Sequence, residues 1–388
     1  MRYAPGFAML LVTALPLLAQ DQPDPVFDEA IDVRVVNVEA VVTSRNGERV
    51  RGLSKDDFRL LVDGREVPIE FFNEITDGKM ANGEAAEPEV VGRRVLVFFD
   101  DSFAIRSQRN IVLDQIEARL TRLSPHDQVA IAAFDGKKLD RLADWTSDGS
   151  RIAAALAVER ARETDGLTPR VHLRMGFPDY GERMNKAINA AAAAMRGLSA
   201  PPGRKVMLLL TGDWPLFETP TYRSLNARRT WTDTAGEEVF RPLIDTANLL
   251  GYTLYPVDLP GVSTNPGVDA DSMRPISGRG VSSGWELMTD YALNFLAQET
   301  GGKAAINSAR LEALDRMAED TGSYYWLGFT PNWKANDEHH SIELKARKRG
   351  LRVRTRNGFT DLSCQDQVVL SAEGTIVSTP CEAPASKP

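Results

Sequence analysis

Residues 95–99 read Val-Leu-Val-Phe-Phe, and 128–134, 205–210 and 253–257 are almost as continuously apolar. A strand without polar alternation has to be covered on both faces, and the usual cover is helices above and below a parallel sheet. The segments between these runs carry the matching pattern. Val112, Ile116, Leu120 and Leu123 recur at helical spacing, as do Met184, Ile188, Ala191 and Met195, a series that ends at Gly197. Further helices are expected over 151–162, 239–250, 285–299 and 311–320, with Gly301 and Gly322 as C-terminal stops and a short third strand over 140–145. Strands alternating with helices imply right-handed crossovers and an α/β fold with a doubly wound, mainly parallel sheet.

Both ends of the chain change to a β pattern. Residues 33–42 form a strand, 45–48 a turn, Ser54 caps a single turn over 55–58, and a strand over 59–62 meets the Asp63-Gly64 turn. Pro68 cannot donate to a ladder, which makes 67–72 an edge strand. Residues 77–92 are rich in Gly, Ala, Glu and Pro and read as a linker. Strands are expected again at 323–329, and at 341–348 and 351–357 around Arg349-Gly350. The predicted organisation is an N-terminal β segment over 31–76, the α/β domain over 93–322, a C-terminal β segment over 323–362 that packs with the N-terminal one, and a tail over 363–388. Two long polar insertions, 214–237 and 259–284, fall among the loops of the α/β domain, and loops of that length are usually functional or disordered.

The chain has 388 residues and a formal charge of −8. Such a balance lacks the positive surface with which a general nucleic-acid binder displaces counterions from phosphate. Arg2, the apolar stretch 7–18 and Ala19 together match a secretory signal over 1–20, a retained membrane anchor or a buried strand being the other readings. The stretch is short for a membrane span and Pro16 interrupts it, and no later segment is long and apolar enough to cross a bilayer. The expected location is therefore the periplasm or the exterior. The only cysteines, Cys364 and Cys381, lie in the tail; an oxidising compartment allows them to pair, and two unpaired thiols are the alternative.

The first central strand runs into Phe99-Asp100-Asp101-Ser102-Phe103-Ala104. Ligands of a doubly wound sheet bind outside the carboxyl ends of its strands. A carboxylate and a hydroxyl two residues apart at that place supply the oxygen ligands that Mg²⁺ takes, with positions left for a partner's carboxylate. Asp and Ser are also ordinary helix N-caps. An apolar strand, Asp-x-Ser, a helix and a later Leu-Leu-Thr strand end resemble the von Willebrand factor type A domain and its metal-ion-dependent adhesion site. Asp32-Val-Arg-Val-Val-Asn-Val-Glu39, Gly52-Leu-Ser-Lys-Asp-Asp-Phe58, Ala297-Gln-Glu-Thr-Gly-Gly302, Tyr324-Tyr-Trp-Leu-Gly-Phe-Thr-Pro331 and Arg354-Thr-Arg-Asn-Gly-Phe359 resemble the acidobacterial VWFA-related domain family.

That resemblance spans nearly the whole chain after the signal. It implies a six-stranded α/β sheet, partner binding, and one divalent cation (Mg²⁺ first, Mn²⁺ or Ca²⁺ next) completed by an acidic residue of the partner. Asp100 and Ser102 fit the first two ligand positions, but Ala104 stands where a second hydroxyl is expected. The threonine expected before the Met184 helix has no clear counterpart; Glu182 is nearest, with Thr164 and Thr168 further upstream. The usual Thr-Asp-Gly reads Thr211-Gly212-Asp213, which shifts the carboxylate by one. Asp100, Ser102, Glu182, Thr211 and Asp213 are thus the candidate metal ligands of a degenerate site. The other reading makes Asp100 and Asp213 cap and turn residues around no metal.

Other constellations are weaker. Gly280-Val-Ser-Ser-Gly284 matches a nucleophile elbow with Ser282 as nucleophile, but such an elbow needs a strand directly before it, and 273–279 is polar and contains Pro275. A hydrolase using Ser282, or a metal-activated water near Asp100, is the alternative function. The histidines His126, His172, His339 and His340 are expected at the surface. Lys345, Arg347, Lys348, Arg349, Arg352, Arg354 and Arg356 form a basic cluster, expected mostly on the solvent face of a hairpin; it either keeps an edge soluble or docks an acidic partner. The aromatics Tyr324, Tyr325 and Trp326 are expected in the β core. The function expected is that of an exported binding module without catalysis, which engages a protein or envelope component at the carboxyl-end loops.

Overall fold

The computed structural model describes residues 36–76, 79–80, 92–120, 124, 126–164, 180–198, 200–201, 203–212, 214, 235–260, 268–269, 272–275, 282–333, 336, 338–361, 367–370 and 376–379. The expected signal segment, Asp213, Thr168, His172, Cys364, Cys381 and most of the 77–92 linker lie outside the described residues.

The first strands are β1 (Val36–Ser44), β2 (Phe58–Val62), β3 (Arg65–Val67), β4 (Phe71–Thr76) and β5 (Lys79–Met80). Then follow β6 (Arg93–Asp100), α1 (Arg106–Leu120), β7 (Gln128–Phe134), β8 (Leu139–Thr146), α2 (Gly149–Ala161), α3 (Tyr180–Gly197) and β9 (Arg204–Thr211). The next elements are α4 (Ala235–Glu238), α5 (Arg241–Leu250), β10 (Tyr252–Asp258), β11 (Val268–Asp269), β12 (Ser272–Pro275), α6 (Ser282–Glu299) and α7 (Ala313–Gly322). The last strands are β13 (Ser323–Phe329), β14 (His339–Ala346), β15 (Leu351–Arg354), β16 (Gly358–Thr360), β17 (Gln367–Leu370) and β18 (Ile376–Thr379). No described helix is long and apolar enough to cross a membrane.

The fully apolar strands do form one sheet, in the order β10-β9-β6-β7-β8. All its pairings are parallel except that of the edge strand β8, which runs antiparallel to β7. Along β6, Leu96 and Phe98 face one side, toward Met184 and Ile188 of α3, Leu243 of α5 and Leu296 of α6. Val95, Val97 and Phe99 face the other, toward Val112 and Ile116 of α1, Leu156 of α2 and Met317 of α7. Two covered faces explain why the strands carry no polar alternation.

Among the described residues the sheet has five strands, where the family resemblance implied six. At the sixth place Ala305 alone bridges Val257 in parallel, donating its N–H to the Pro256 carbonyl at 2.8 Å. The chain reaches that point through Gly301 and Gly302, whose backbones leave no room for side chains. A Cβ on Gly302 would lie 1.8 Å from the Leu254 carbonyl oxygen, and one on Gly301, at φ +78°, 2.8 Å from the Arg356 nitrogen. A 3₁₀ turn begins at Asn307, which leaves too few residues for a strand.

Strands from both ends of the described chain pair with one another. One antiparallel sheet has the order β15-β1-β13-β4-β5 and the second β16-β14-β2-β3. Their inner faces share a core of Val38, Ala40, Leu60, Tyr325, Leu327, Ile342, Leu344 and Phe359. The expected hairpin at Arg349-Gly350 is not formed. Gly350, at φ +85°, carries the chain from one sheet to the other, so that β14 pairs with β2 and β16 while β15 pairs with β1. The aromatic run divides by strand alternation: Tyr325 enters the core between Phe58 and Phe72, while Tyr324 faces away and lies under the Arg204 guanidinium at 3.8 Å.

Charged side chains fasten the β strands to the α/β sheet. Asp320 of α7 accepts from Arg354 of β15 at 2.5 Å and from the Tyr255 hydroxyl of β10 at 2.8 Å, and it also pairs with Arg49. Arg204 of β9 pairs with Glu39 of β1 at 3.0 Å. Arg356 donates to the Asn248 carbonyl at 2.6 Å. Arg354 and Arg356 therefore face inward, contrary to the expected solvent-facing cluster, because β15 and the turn after it run along the seam. Lys345, Arg347 and Lys348 stay at the surface and pair with Glu343, Glu66 and Asp57. His340 is also inside rather than at the surface: its Nδ1 lies 2.7 Å from Asp63, and its ring packs between Trp333 and Phe359.

Candidate functional site at the carboxyl end of the central strand

The order of the α/β sheet reverses between β6 and β9, and the carboxyl ends of those two strands are Asp100 and Thr211. This is the place where open α/β sheets bind ligands. A single 3₁₀ turn, Asp101–Phe103, follows β6 directly and throws Ser102 back over the strand end. Ser102 Oγ donates to Asp100 Oδ1 at 2.5 Å, and Thr211 Oγ1 donates to Oδ2 at 2.9 Å. A third donor was not foreseen: Trp214 Nε1 reaches the same Oδ2 at 2.9 Å. The indole stacks on Phe240, with ring centroids 6.3 Å apart.

Asp100, Ser102, Thr211 and Trp214 all have zero solvent exposure. Burial pushes the Asp100 carboxyl up to about 6, against the pull of its three donors toward the ionised form. Both carboxylate oxygens are therefore engaged by internal hydrogen bonds, and none of the four groups meets solvent.

Of the other predicted ligands, Glu182 is not brought to this point. Glu182 sits in the first turn of α3, 66% exposed, and pairs with Lys186 at 2.7 Å, which lowers its pKa. Its neighbour Arg183 is the residue turned toward the cluster, donating to the Ser102 carbonyl at 3.2 Å with its guanidinium 5.8 Å from the Phe103 ring centre. Ala104 is buried and contributes only its backbone, donating to the Asp101 carbonyl at 3.4 Å. Asp213 is outside the described residues. The shift from Thr-Asp-Gly to Thr-Gly-Asp has a steric counterpart, since a Cβ on Gly212 would lie 1.9 Å from the Phe103 carbonyl oxygen. No side chain fits where the usual aspartate would stand.

These residues do not fit a divalent cation. A hard cation needs about six oxygen ligands. The described cluster offers one carboxylate, both of whose oxygens already accept internal hydrogen bonds, and two hydroxyls, none of them exposed to solvent, and its fourth member is an N–H donor, which repels a cation. Among the described residues, no group of three or more His, Asp or Glu side chains is placed to hold a metal.

Beside this cluster lies a second one that sequence reasoning missed. Asp101 accepts from Arg109 at 2.6 Å and from Arg162 at 2.9 Å. Arg109 also pairs with Glu159 at 3.0 Å, and Arg162 reaches Asp140 at 2.8 Å. The side chains of Asp101, Arg109 and Glu159 are fully buried. Burial first, then the nearby Asp101 charge, push Glu159 up to about 8. The available signal was positional: Arg109 shares a helical face with Val112, Leu113 and Ile116, and Glu159 with Ile152, Ala155 and Leu156. A charge on the apolar face of each of two helices predicts a buried pair.

Ser282 opens α6, while the nearest described strand before it, β12, ends at Pro275. The described residues thus contain no strand running directly into Ser282, as an elbow requires.

No protein-family profile matches the chain. No curated protein matches it either. Among solved structures, an aerotolerance-related membrane protein from Bacteroides fragilis is similar at 14% identity and a TM-score of 0.35, covering 59% of this chain and 98% of that one. The PilB minor pilin from Streptococcus sanguinis is similar at 12% identity and a TM-score of 0.35, covering 60% of this chain and 61% of that one. Manganese-loaded TRAP protein from Plasmodium vivax is similar at 11% identity and a TM-score of 0.32, covering 75% of this chain and 98% of that one.

Proposed function

We propose that this chain is an exported von Willebrand A-type recognition module, periplasmic or secreted, which holds a protein or cell-envelope partner with the loops at the carboxyl end of its α/β sheet. In this reading, no cation sits at Asp100. The supporting observation is the closure of the switch point, where Thr211 and Trp214 both donate to Asp100 Oδ2. With the strand ends tied to each other, β6 and β9 form a fixed base, and contact falls to the segments that leave from it. The two long polar insertions start three residues after Thr211 and directly after Asp258, at this same edge.

Catalysis is not part of the proposal. A general base must lie within hydrogen-bond distance of the group or water whose proton it takes, and both Asp100 oxygens are already occupied by internal donors. The experiment is affinity capture from envelope extract, in chelator, with the full chain and with a variant whose residues 216–232 are replaced by a Gly-Ser linker. The reading expects one partner retained by the full chain in chelator and lost by the variant. Equal recovery by both, release by chelator, or turnover of an ester or peptide library by the full chain contradicts it.

A further inference from the structure

We propose that the groove beside the β2–β3 hairpin is a docking site for an extended acidic segment of a protein partner that also carries apolar side chains. None of the residues lining it belongs to the carboxyl-end loops, so its test is independent of the reading above.

The groove, of about 370 Å³, lies between β2, β3 and the turn that precedes β2. Its floor is apolar: Phe58 and Leu60 are buried, and Val67 and Ile69 are half-buried. Its rim is cationic. Glu66 is shared by two guanidiniums, with Arg59 Nε at 2.8 Å and Arg347 Nη2 at 3.1 Å. One carboxylate between two cations leaves an uncompensated positive charge, and both arginines are about half exposed. Lys55 and Asp56 also line the groove, and Lys348 pairs with Asp57, the residue after Asp56, at 3.0 Å.

The rest of the chain sharpens this contrast. At a formal charge of −8 the molecule as a whole repels an acidic segment, so a net positive groove selects where such a segment lands. The apolar floor selects what it carries. β3 is the outermost strand of its sheet among the described residues, but it has only three residues and Pro68 follows it. Those features discourage strand addition. Recognition therefore falls to side chains, with apolar residues of the partner over Phe58 and Ile69 and carboxylates against Lys55, Arg59 and Arg347. A membrane presents its charge as a plane, which a concave groove does not match.

The test is fluorescence anisotropy of a labelled Glu-Val-Glu-Ile-Glu-Val peptide titrated with the full chain. Saturable binding is expected, falling between about 50 and 300 mM salt as screening tightens. The Lys55→Glu/Arg347→Glu variant, checked for native circular dichroism, is expected to bind about tenfold more weakly. Lys55→Glu alone, at an exposed position, is expected to show a smaller loss, and Arg141→Glu on β8 none. Four results overturn the proposal: no saturable binding of the acidic peptide, equal binding of Lys-Val-Lys-Ile-Lys-Val, undiminished binding by both Lys55 variants, or binding of phosphatidylglycerol vesicles in place of the peptide.

Discussion

Trp214 places its indole nitrogen 2.9 Å from Asp100 Oδ2, inside a pocket where neither residue has any solvent exposure. The relationship joins the end of the central strand to a residue three positions beyond its neighbour β9, and it gives a buried carboxylate a neutral donor where the family resemblance implies a cation. An isolated carboxylate in an apolar interior is costly, and hydrogen bonds to its charged form offset that cost.

Trp214→Phe keeps a ring against Phe240 and removes the N–H together with part of the indole's buried volume. The variant is expected to lose about 1–3 kcal/mol of stability by urea unfolding near pH 7. The loss is expected to shrink near pH 5, below the Asp100 value of about 6, where a protonated carboxyl needs the donor less. An equal loss at both pH values would assign the effect to packing and remove the hydrogen bond from the account.

Glu159 gives a second pH dependence. Its ordinary value of 4.5 is raised to about 8 in the folded chain. Between those values the folded state holds a proton that the unfolded state has released, so this group's contribution to stability falls as pH rises through about 8. Asp100 acts in the same sense over the range from 3.8 to about 6. Glu159→Gln fixes the neutral form and is expected to flatten the decline between about pH 5 and 8, with the largest gain over wild type at the alkaline end. Superimposable pH–stability curves for variant and wild type would show that the Asp101–Arg109–Glu159 cluster does not hold that proton.

Asp320 is the counter-charge of the seam. Asp320→Ala leaves Arg49 and Arg354 without their carboxylate and Tyr255 without its acceptor. The expected cost is about 2–4 kcal/mol in chemical unfolding, with Asp320→Asn recovering part of it through the Tyr255 hydrogen bond. A neutral Asp320→Ala would mean that the seam does not depend on this counter-charge.

The α/β sheet was legible because continuous apolar runs and helical stripes are local signals, and the same periodicity that marked Val112 and Ile116 also placed them in the core. Asp100 and Ser102 were legible together because they stand at a strand end and in the turn after it, and Thr211 joined them through the family resemblance. Their closure was not, because nothing local says that Trp214 turns inward; that depends on Phe240, distant in sequence, offering a ring to stack on. Glu182 failed as a ligand for a related reason. Helical phase turns Arg183 toward the Ser102 carbonyl and leaves Glu182 facing outward with Lys186. The sheet switch at Gly350 was hidden because alternation reports which residues share a face and not which strand lies alongside.

In the proposed reading, the Asp100 cluster is satisfied from within and takes no cation. Thermal-shift titration of Mg²⁺, Mn²⁺ and Ca²⁺ into the full chain and into Asp100→Ala tests it most directly. The account predicts flat responses that are the same in both proteins. A saturable stabilisation of the wild type that Asp100→Ala abolishes would contradict it.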